Sequence, residues 1–285
     1  MDEDAGSMGR IFKSGAGAVV TKSIGLKPRN GYPNPTVVEL ENGILNAMGL
    51  PNPGIKEFKN EIKQLKESNI PVIGSIFGSN KNEFVELSEK MQSYGIDALE
   101  LNLSCPHAKG YGLEIGSDSE IVREITSKVK ESNKIPVFVK ISPNLADIVE
   151  IAKSVEKGNA DAIVAINTVK AMKIDLEFKM PVLSNKIGGY SGKAIKPIGV
   201  RCVYEISKNV NIPVIGVGGI ITGEDALEYI MAGASAVQIG SGIYYRGIDI
   251  FKKVYNEMES WMKNHGYNNL SELIGVAHLW IIQEL

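Results

Sequence analysis

Cysteine and histidine are scarce in this 285-residue chain, which has two cysteines and three histidines. Cys105 and Cys202 do not form a Cys-x-x-Cys pair, which excludes a disulfide framework and a cysteine-rich zinc or iron–sulfur site within this chain. The histidines, which are His107, His265 and His278, lack the spacing of metal ligands. The sequence therefore predicts no bound metal.

The chain also lacks a surplus of charge of one sign and long apolar runs. Lys and Arg number 31 against 33 Asp and Glu, so the net charge is −2, without the basic surplus that grips nucleic-acid phosphates. No uncharged stretch has the ~18 apolar residues that a membrane span requires. The first residues, Met1-Asp2-Glu3-Asp4, are not a signal peptide. We therefore expect a soluble cytoplasmic protein that binds neither nucleic acid nor membrane.

The chain does contain a repeat in which short apolar runs alternate with longer amphipathic runs, as βα units around a parallel sheet do. The predicted strands are Ala18–Lys22, Val72–Phe77, Ala98–Leu103, Val137–Ile141, Ala162–Asn167, Val214–Val217 and Ala236–Gly240. The predicted helices are Lys56–Lys66, Glu83–Tyr94, Ser119–Glu131, Asp147–Lys157, Ile195–Lys208, Gly223–Ala232 and Ile248–Lys263. We expect a single α/β domain over residues 1–285, a (β/α)8 TIM barrel, with a doubly wound sheet as the alternative.

The predicted strands number seven, one short of a closed barrel. A first helix at Gly6–Ser14 has no strand before it, so the barrel lacks its first strand at the N-terminus. Either the chain starts inside the domain, or an early strand comes from elsewhere. Two inserts, at about residues 24–54 and 168–194, follow the ends of strands. We expect them to lie over the barrel mouth, where loops of this fold carry function.

Polar side chains stand at the carboxyl ends of the predicted strands, where a barrel builds its active site. Lysines are unusual in buried strands, and asparagine amides suit a planar amide or imide ring. These residues are Lys22, Ser75, Asn102, Lys140 and Asn167. We expect them to converge on one pocket.

Glycine is abundant, at 30 of 285 residues, and lies in short groups after apolar runs. Gly218-Gly219 and Gly240-Ser241 end the last two predicted strands. Backbone N–H groups at these two positions bind phosphate in many barrels. Turn formation alone would explain either group, but their occurrence on consecutive strands favours a phosphate site.

Cys105 lies in Asn102-Leu-Ser-Cys-Pro, directly after a strand. A thiol in such a loop suggests a base or a nucleophile, and an inert buried thiol is the alternative. His107 is close enough in sequence to tune Cys105, although a solvated loop histidine is an equal interpretation. Cys202 lies on a predicted helix and is interpreted as a packing residue.

Six ordered motifs resemble the dihydroorotate dehydrogenase family, class 1, and most of all its NAD-linked B-type catalytic subunits. They are Asn46-Ala-Met-Gly-Leu-Pro-Asn, Asn102-Leu-Ser-Cys-Pro, Val139-Lys-Ile-Ser-Pro-Asn, Ile166-Asn-Thr, Gly188-Gly-Tyr-Ser-Gly-Lys-Ala-Ile-Lys-Pro and Gly216-Val-Gly-Gly-Ile. The resemblance extends from about Gly6 to Ile274. It implies a flavin-binding barrel that oxidises dihydroorotate to orotate in the biosynthesis of pyrimidines (UMP).

The resemblance also implies site residues, with Cys105 as the catalytic base. Substrate contacts would be Lys22, Asn46, Ala47, Met48, Gly49, Leu50, Asn102, Asn167 and Thr168. Contacts with the cofactor, FMN, would be Lys22, Ser23, Ser75, Asn102, Lys140, Ile166, Gly192, Gly218, Gly219, Gly240 and Ser241. The implied assembly is a homodimer core with a separate subunit that carries FAD and an iron–sulfur cluster, together a heterotetramer.

The chain departs from the family pattern at two positions. His107 stands where the family usually has a substrate-binding Asn, and Ser75 where many members have Asn. Three other functions stay open: fumarate-linked dihydroorotate oxidation (A type), a flavin-free isomerase or lyase acting on a phosphorylated substrate, and a non-catalytic partner-binding barrel. The second would need an acidic base, for which Glu100, inside a strand, is the one weak candidate.

Overall fold

The computed structural model of the chain describes residues 3–104 and 113–279. Within these ranges the strands are β1 (Val19–Val20), β2 (Val37–Leu40), β3 (Gly43–Asn46), β4 (Val72–Ile76), β5 (Ala98–Asn102), β6 (Val137–Ile141), β7 (Ala162–Ala165), β8 (Val169–Met172), β9 (Ile174–Asp175), β10 (Met180–Pro181), β11 (Ile187–Ser191), β12 (Val214–Val217) and β13 (Ala236–Gln238). The helices are α1 (Ala5–Lys13), α2 (Ile55–Glu67), α3 (Lys81–Ser93), α4 (Leu113–Gly116), α5 (Ser119–Ser132), α6 (Ile148–Lys157), α7 (Lys196–Ser207), α8 (Gly223–Met231), α9 (Gly242–Arg246) and α10 (Ile250–Asn264). Cys105 and His107 lie outside the described residues.

Seven strands pair in parallel to form the central sheet, in the order β1-β4-β5-β6-β7-β12-β13. This order follows the chain without reversal, whereas a doubly wound sheet reverses its strand order partway. The doubly wound alternative is therefore wrong, and the predicted barrel architecture, one strand short of eight, is confirmed. Among the described residues no strand joins β1 to β13, so these two strands are the edges of the sheet.

Local sequence explains where the elements of the barrel begin. Pro136 and Pro213 directly precede β6 and β12, whose bounds match the prediction. Proline is tolerated at a strand start because the N–H that it lacks is not yet needed by the ladder. Asp147 caps α6, since its carboxylate accepts hydrogen bonds from the N–H groups of Val149 and Glu150.

The core lies between the sheet and the helices that surround it. In β6, Val137, Val139 and Ile141 are buried and alternate with less buried residues. Burial of each such aliphatic side chain contributes about 1.5–3 kcal/mol. Because successive side chains of a strand point to opposite faces, Lys140 projects to the other face, into the barrel interior.

The two inserts form one structural unit, a four-stranded antiparallel sheet in the order β2-β3-β11-β8. Strands β2 and β3 come from the first insert, and β8 and β11 from the second. Asn46 at the end of β3 pairs with Gly189 of β11. The sequence did not predict this sheet, because its strands are short and its pairing joins segments about 140 residues apart.

Candidate functional site

A cavity of about 870 Å³ opens along the barrel interior. Eight of the site residues predicted from the sequence line it: Lys22, Ser23, Leu50, Ser75, Asn102, Lys140, Asn167 and Gly240. All except Leu50, which follows β3, lie at or just beyond the ends of six strands of the central sheet, β1, β4, β5, β6, β7 and β13. The structure thus brings together all five of the polar strand-end residues that were expected to converge.

Asn102 is the centre of a buried hydrogen-bond network at the end of β5. Its side-chain amide donates to the Ser23 hydroxyl (2.9 Å), which lies 2.9 Å from the Ser75 hydroxyl. Its side-chain oxygen accepts from the Ser104 hydroxyl (2.8 Å), and Ser104 accepts from the Asn167 amide (2.7 Å). A network in which each buried member has a partner is rigid. These amide and hydroxyl groups are therefore held in fixed positions at one end of the cavity.

Lys140 belongs to a second polar cluster, deeper in the barrel. Its ammonium lies 3.7 Å from a Glu100 carboxylate oxygen and 3.4 Å from the Gln238 side-chain oxygen, to which it donates. The Gln238 amide donates to the other Glu100 oxygen (3.0 Å). Glu100 is only 2% exposed, so its charge requires these partners. A carboxylate held in this way is poorly placed to act as the base of a lyase.

Lys22 is the second lysine of the cavity, directly beyond β1. Its ammonium is 3.3 Å from a Glu3 carboxylate oxygen, and its side chain is 19% exposed. Glu3 is half exposed, so this ion pair is solvated and contributes little to stability. The Lys22 ammonium can therefore exchange Glu3 for an anionic ligand at small cost.

The predicted substrate loop, residues 46–50, begins at the end of β3. The Asn46 amide donates to the Gly189 carbonyl (3.3 Å), Ala47 is buried, and Met48 is partly exposed. Gly49 has a φ of +77°, and Leu50 has a φ of +57°, which is uncommon for a residue with a large side chain. Of this loop only Leu50 lines the cavity.

Two predicted residues after β7 lie beside the network without lining the cavity. Ile166 is buried, and its N–H donates to the Val217 carbonyl (2.9 Å). The Thr168 N–H donates to the Asn167 side-chain oxygen (2.7 Å), and the Thr168 carbonyl accepts from the Asn144 amide (2.9 Å). These contacts connect the second insert to the end of β7.

The predicted phosphate-binding glycines lie just beyond β12 and β13. Gly218 and Gly219 have φ values of +136° and +70°, and a Cβ on Gly219 would lie 2.7 Å from the Gly192 carbonyl oxygen. Around Gly240 there is open space. Within the described ranges, no acceptor takes a hydrogen bond from the N–H groups of Gly218, Gly219 or Gly240. Free N–H groups of this kind suit an anion. The remaining predicted position, Ser241, directly precedes the short helix α9, and its side chain makes no capping hydrogen bond.

Asp225, on α8, binds the backbone that directly follows Gly218 and Gly219. Its carboxylate accepts from the N–H groups of Ile221 (3.0 Å) and Thr222 (2.9 Å) and from the Lys196 ammonium (2.8 Å). Burial alone would raise the pKa of Asp225, but these hydrogen bonds outweigh it and hold the pKa below its usual value. Asp225 therefore stabilises the start of α8 as an anion.

Replacing Asp225 with Asn should lower stability at neutral pH by about 1–2 kcal/mol, because a charged cap and its ion pair are lost. The folded pKa is depressed, so the wild-type advantage exists above the unfolded value of ~3.9 and disappears as the pH falls through the folded pKa. Melting curves of both proteins, recorded from pH 7 down to the lowest pH at which they are folded, test this prediction. A gap between the two proteins that stays constant with pH would contradict it.

Cys202, on α7, is fully buried, and burial raises the pKa of its thiol to about 11 despite the adjacent Arg201 guanidinium. At neutral pH it is an unreactive thiol, as its interpretation as a packing residue predicts.

In the native protein we expect one thiol, Cys105, to react with a disulfide reagent near neutral pH, and two after unfolding. Cys202→Ala should leave the native count unchanged, and Cys105→Ser should abolish it. Two fast-reacting thiols in the native wild type would refute the assignment of Cys202.

Several residues of the site were not predicted. Ser104 and Gln238 complete the two polar clusters. Tyr229 lies behind the turn after β12 that contains Gly218 and Gly219, which we call the glycine loop. Gln238 stands two positions before Gly240 on the last strand, so strand alternation could have placed it on the interior face. Ser104 stands two residues after Asn102 in the sequence, but its other partner, Asn167, is 63 residues away. Tyr229 had no such signal, since its partner Gly218 lies on another element.

The fold and the site define a class, the TIM-barrel proteins that bind a ligand at the carboxyl ends of their strands. A sequence profile described as dihydroorotate dehydrogenase matches residues 1–262. The protein from Methanocaldococcus jannaschii is 53% identical over 282 residues, covering 98% of this chain and 92% of that protein. The protein from Thermoplasma acidophilum is 54% identical (97% and 92% covered), and that from Pyrococcus furiosus 52% (94% and 89%).

Each of these relatives is named the catalytic subunit of dihydroorotate dehydrogenase B (NAD+). The chain belongs to the dihydroorotate dehydrogenase family, which confirms the resemblance seen in its motifs. The term "catalytic subunit" implies that those relatives have a partner subunit. In the part of the chain that the structure describes, no helix is long and apolar enough to cross a membrane, and no three His, Cys, Asp or Glu residues could hold a metal ion.

Proposed function

We propose that this chain is the FMN-binding catalytic subunit of a cytoplasmic, NAD-linked dihydroorotate dehydrogenase, which oxidises dihydroorotate to orotate in pyrimidine biosynthesis. The observation that carries the proposal is the meeting of the Asn102 network, Lys140 and Gly240 around one cavity, in a chain 53% identical to such a subunit. The family is flavin-dependent, which supports a flavin in this cavity.

The residues fit FMN. The cavity volume is in the range of known cofactor sites, and apolar walls from β1, β4 and β12 suit a flat ring system. The free N–H groups of Gly218, Gly219 and Gly240 suit its phosphate. Further contacts would come from Lys22, Ser23, Ser75, Asn102, Lys140, Ile166, Gly192 and Ser241.

When bound, FMN supplies the acceptor for the hydride that leaves C6 of dihydroorotate. The Cys105 thiolate takes the proton from C5, so that the C5–C6 single bond becomes the double bond of orotate. Asn102, Asn167 and Thr168 hold the planar ring through their amide and hydroxyl groups. Lys22 supplies a cation, and the loop of residues 46–50 covers the substrate.

The electrons leave through a second protein in this proposal. Two cysteines cannot hold an iron–sulfur cluster, so a cluster that accompanies this chain belongs to a separate subunit, which would also carry FAD. We place two copies of each subunit in a heterotetramer around a homodimer of this chain. Large apolar side chains exposed near β9 and β10, among them Leu176 and Phe178, support an assembled protein.

The purified chain tests the proposal through its visible spectrum and through analysis of the released cofactor. We expect about one FMN per chain, and reduction of NAD+ by dihydroorotate only when the partner subunit is present. A colourless protein that binds no flavin would refute the proposal and favour a flavin-free barrel enzyme. Direct use of fumarate by the chain alone would instead identify the A type.

A further inference from the structure

Tyr229 lies behind the glycine loop, and the proposed reaction gives it no role. It stands on α8, is fully buried, and does not line the cavity. Burial raises the pKa of its hydroxyl well above the usual value, so the hydroxyl is a permanent donor. A buried tyrosine hydroxyl requires an acceptor, and the identity of that acceptor indicates what the residue does.

Three glycines make room for the Tyr229 ring. A Cβ added to Gly199 or Gly216 would collide with the hydroxyl or the ring, and a Cβ on Gly218 would lie in tight contact with the hydroxyl, at 3.2 Å. These glycines come from α7, β12 and the turn after β12. The ring therefore fills a slot directly beneath the turn and can move little within it.

The Tyr229 hydroxyl donates to the Gly218 carbonyl oxygen at 2.8 Å, while the Lys196 carbonyl lies farther away, at 3.5 Å. The peptide between Gly218 and Gly219 is trans, so its C=O and N–H groups point in opposite directions. A carbonyl held toward α8 directs the Gly219 N–H away from that helix. That N–H has no acceptor among the described residues.

The orientation of this peptide would otherwise be poorly determined. Gly218 and Gly219 both adopt positive φ values, and glycine populates several such conformations readily. The adjacent N–H groups of Ile221 and Thr222 are already taken by Asp225. The Gly218 carbonyl is thus the point at which a side chain can fix the peptide.

We propose that Tyr229 is a positioning residue, which holds the Gly218–Gly219 peptide so that the Gly219 N–H donates to the phosphate group of a phosphorylated ligand. It does not touch the ligand. In its specific form the inference rests on the proposed function, in which the ligand is FMN. A purely structural tyrosine would affect all flavins equally, whereas a phosphate-positioning one affects only those that carry phosphate.

The test compares Tyr229→Phe with wild type in binding FMN and riboflavin, which lacks the phosphate, to the flavin-free full-length chain. We expect FMN affinity to fall about 3- to 10-fold, the effect of one hydrogen bond, while riboflavin affinity stays unchanged. Tyr204→Phe is the matched control. Tyr204, on α7, packs against His278, with tilted rings whose centroids are 4.3 Å apart, and removal of its hydroxyl should change neither affinity.

Two results would overturn the inference: FMN affinity equal to wild type, or an equal loss for FMN and riboflavin. If the wild type binds neither flavin, the proposed function fails, and inorganic phosphate then decides the role of Tyr229. Phosphate should shift the amide NMR signal of Gly219 in the wild type, and at higher concentration in Tyr229→Phe. The same titration curve in both proteins, or no shift in either, would overturn the inference by this route as well.

Discussion

Cys105→Ser is expected to slow the reduction of bound flavin by dihydroorotate about 10²–10⁴-fold near neutral pH, while FMN stays bound. A serine hydroxyl is a much weaker base than a cysteine thiolate, and loss of a general base typically has an effect of this size. The residue before Cys105 supports this role. Ser104 is fully buried and hydrogen-bonded to both Asn102 and Asn167, so the residue directly before Cys105 lies at the amide groups expected to hold the substrate.

Stopped-flow measurement of flavin reduction in a single turnover tests this prediction, since it excludes the later electron-transfer steps. Cys202→Ala is the matched control, because it removes the other thiol from a buried position on α7. It should cost stability through lost packing and leave the reduction rate near that of the wild type. Flavin reduction at the wild-type rate in Cys105→Ser would show that Cys105 is not the catalytic base.

Lys140→Ala is expected to slow flavin reduction about 10²–10³-fold and to lower the midpoint potential of the bound flavin. Its ammonium projects into the barrel interior, where it would offset the negative charge that develops on the ring during reduction. The variant also leaves Glu100 buried without its cation, so the melting temperature should fall as well. Stability alone therefore cannot decide the role of Lys140, and the potential has to be measured.

Glu100→Gln separates the two roles, because it should shift the potential in the opposite direction. The neutral amide can still accept from Gln238, but it no longer offsets the charge of Lys140, so the flavin should become easier to reduce. The double variant should regain stability relative to Lys140→Ala while its potential stays below that of the wild type. Lys66→Ala, which breaks a surface pair with Asp97, is the control and should leave the potential unchanged. An unchanged potential in Lys140→Ala would assign Lys140 a purely structural role.

The barrel could be predicted from the sequence because its signals are local. Each strand is a short apolar run, and features such as Pro136 before β6 and Asp147 before α6 mark where elements begin. The cavity-lining polar residues were also predictable, since a barrel brings all strand ends to one place whatever the details of packing. The five polar strand-end residues predicted from the pattern all line the cavity for this reason.

What could not be predicted depends on contacts between distant segments. The antiparallel sheet of the inserts pairs Asn46 with Gly189, and no local pattern encodes such a register. Glu100 was considered only as a weak base, because its pairing with Lys140 and Gln238 exists only once three strands have come together. The hydrogen bond from Tyr229 to Gly218 likewise joins a helix to a turn that only packing brings near.

The most direct test of the central claim is an anaerobic titration of the purified chain with dihydroorotate, followed through the visible absorption of its flavin. The chain should lose the absorption of oxidised flavin as one equivalent of dihydroorotate is consumed per flavin, with orotate formed in equal amount. A flavin that stays oxidised with excess dihydroorotate, or a chain that holds no flavin to titrate, would contradict the account.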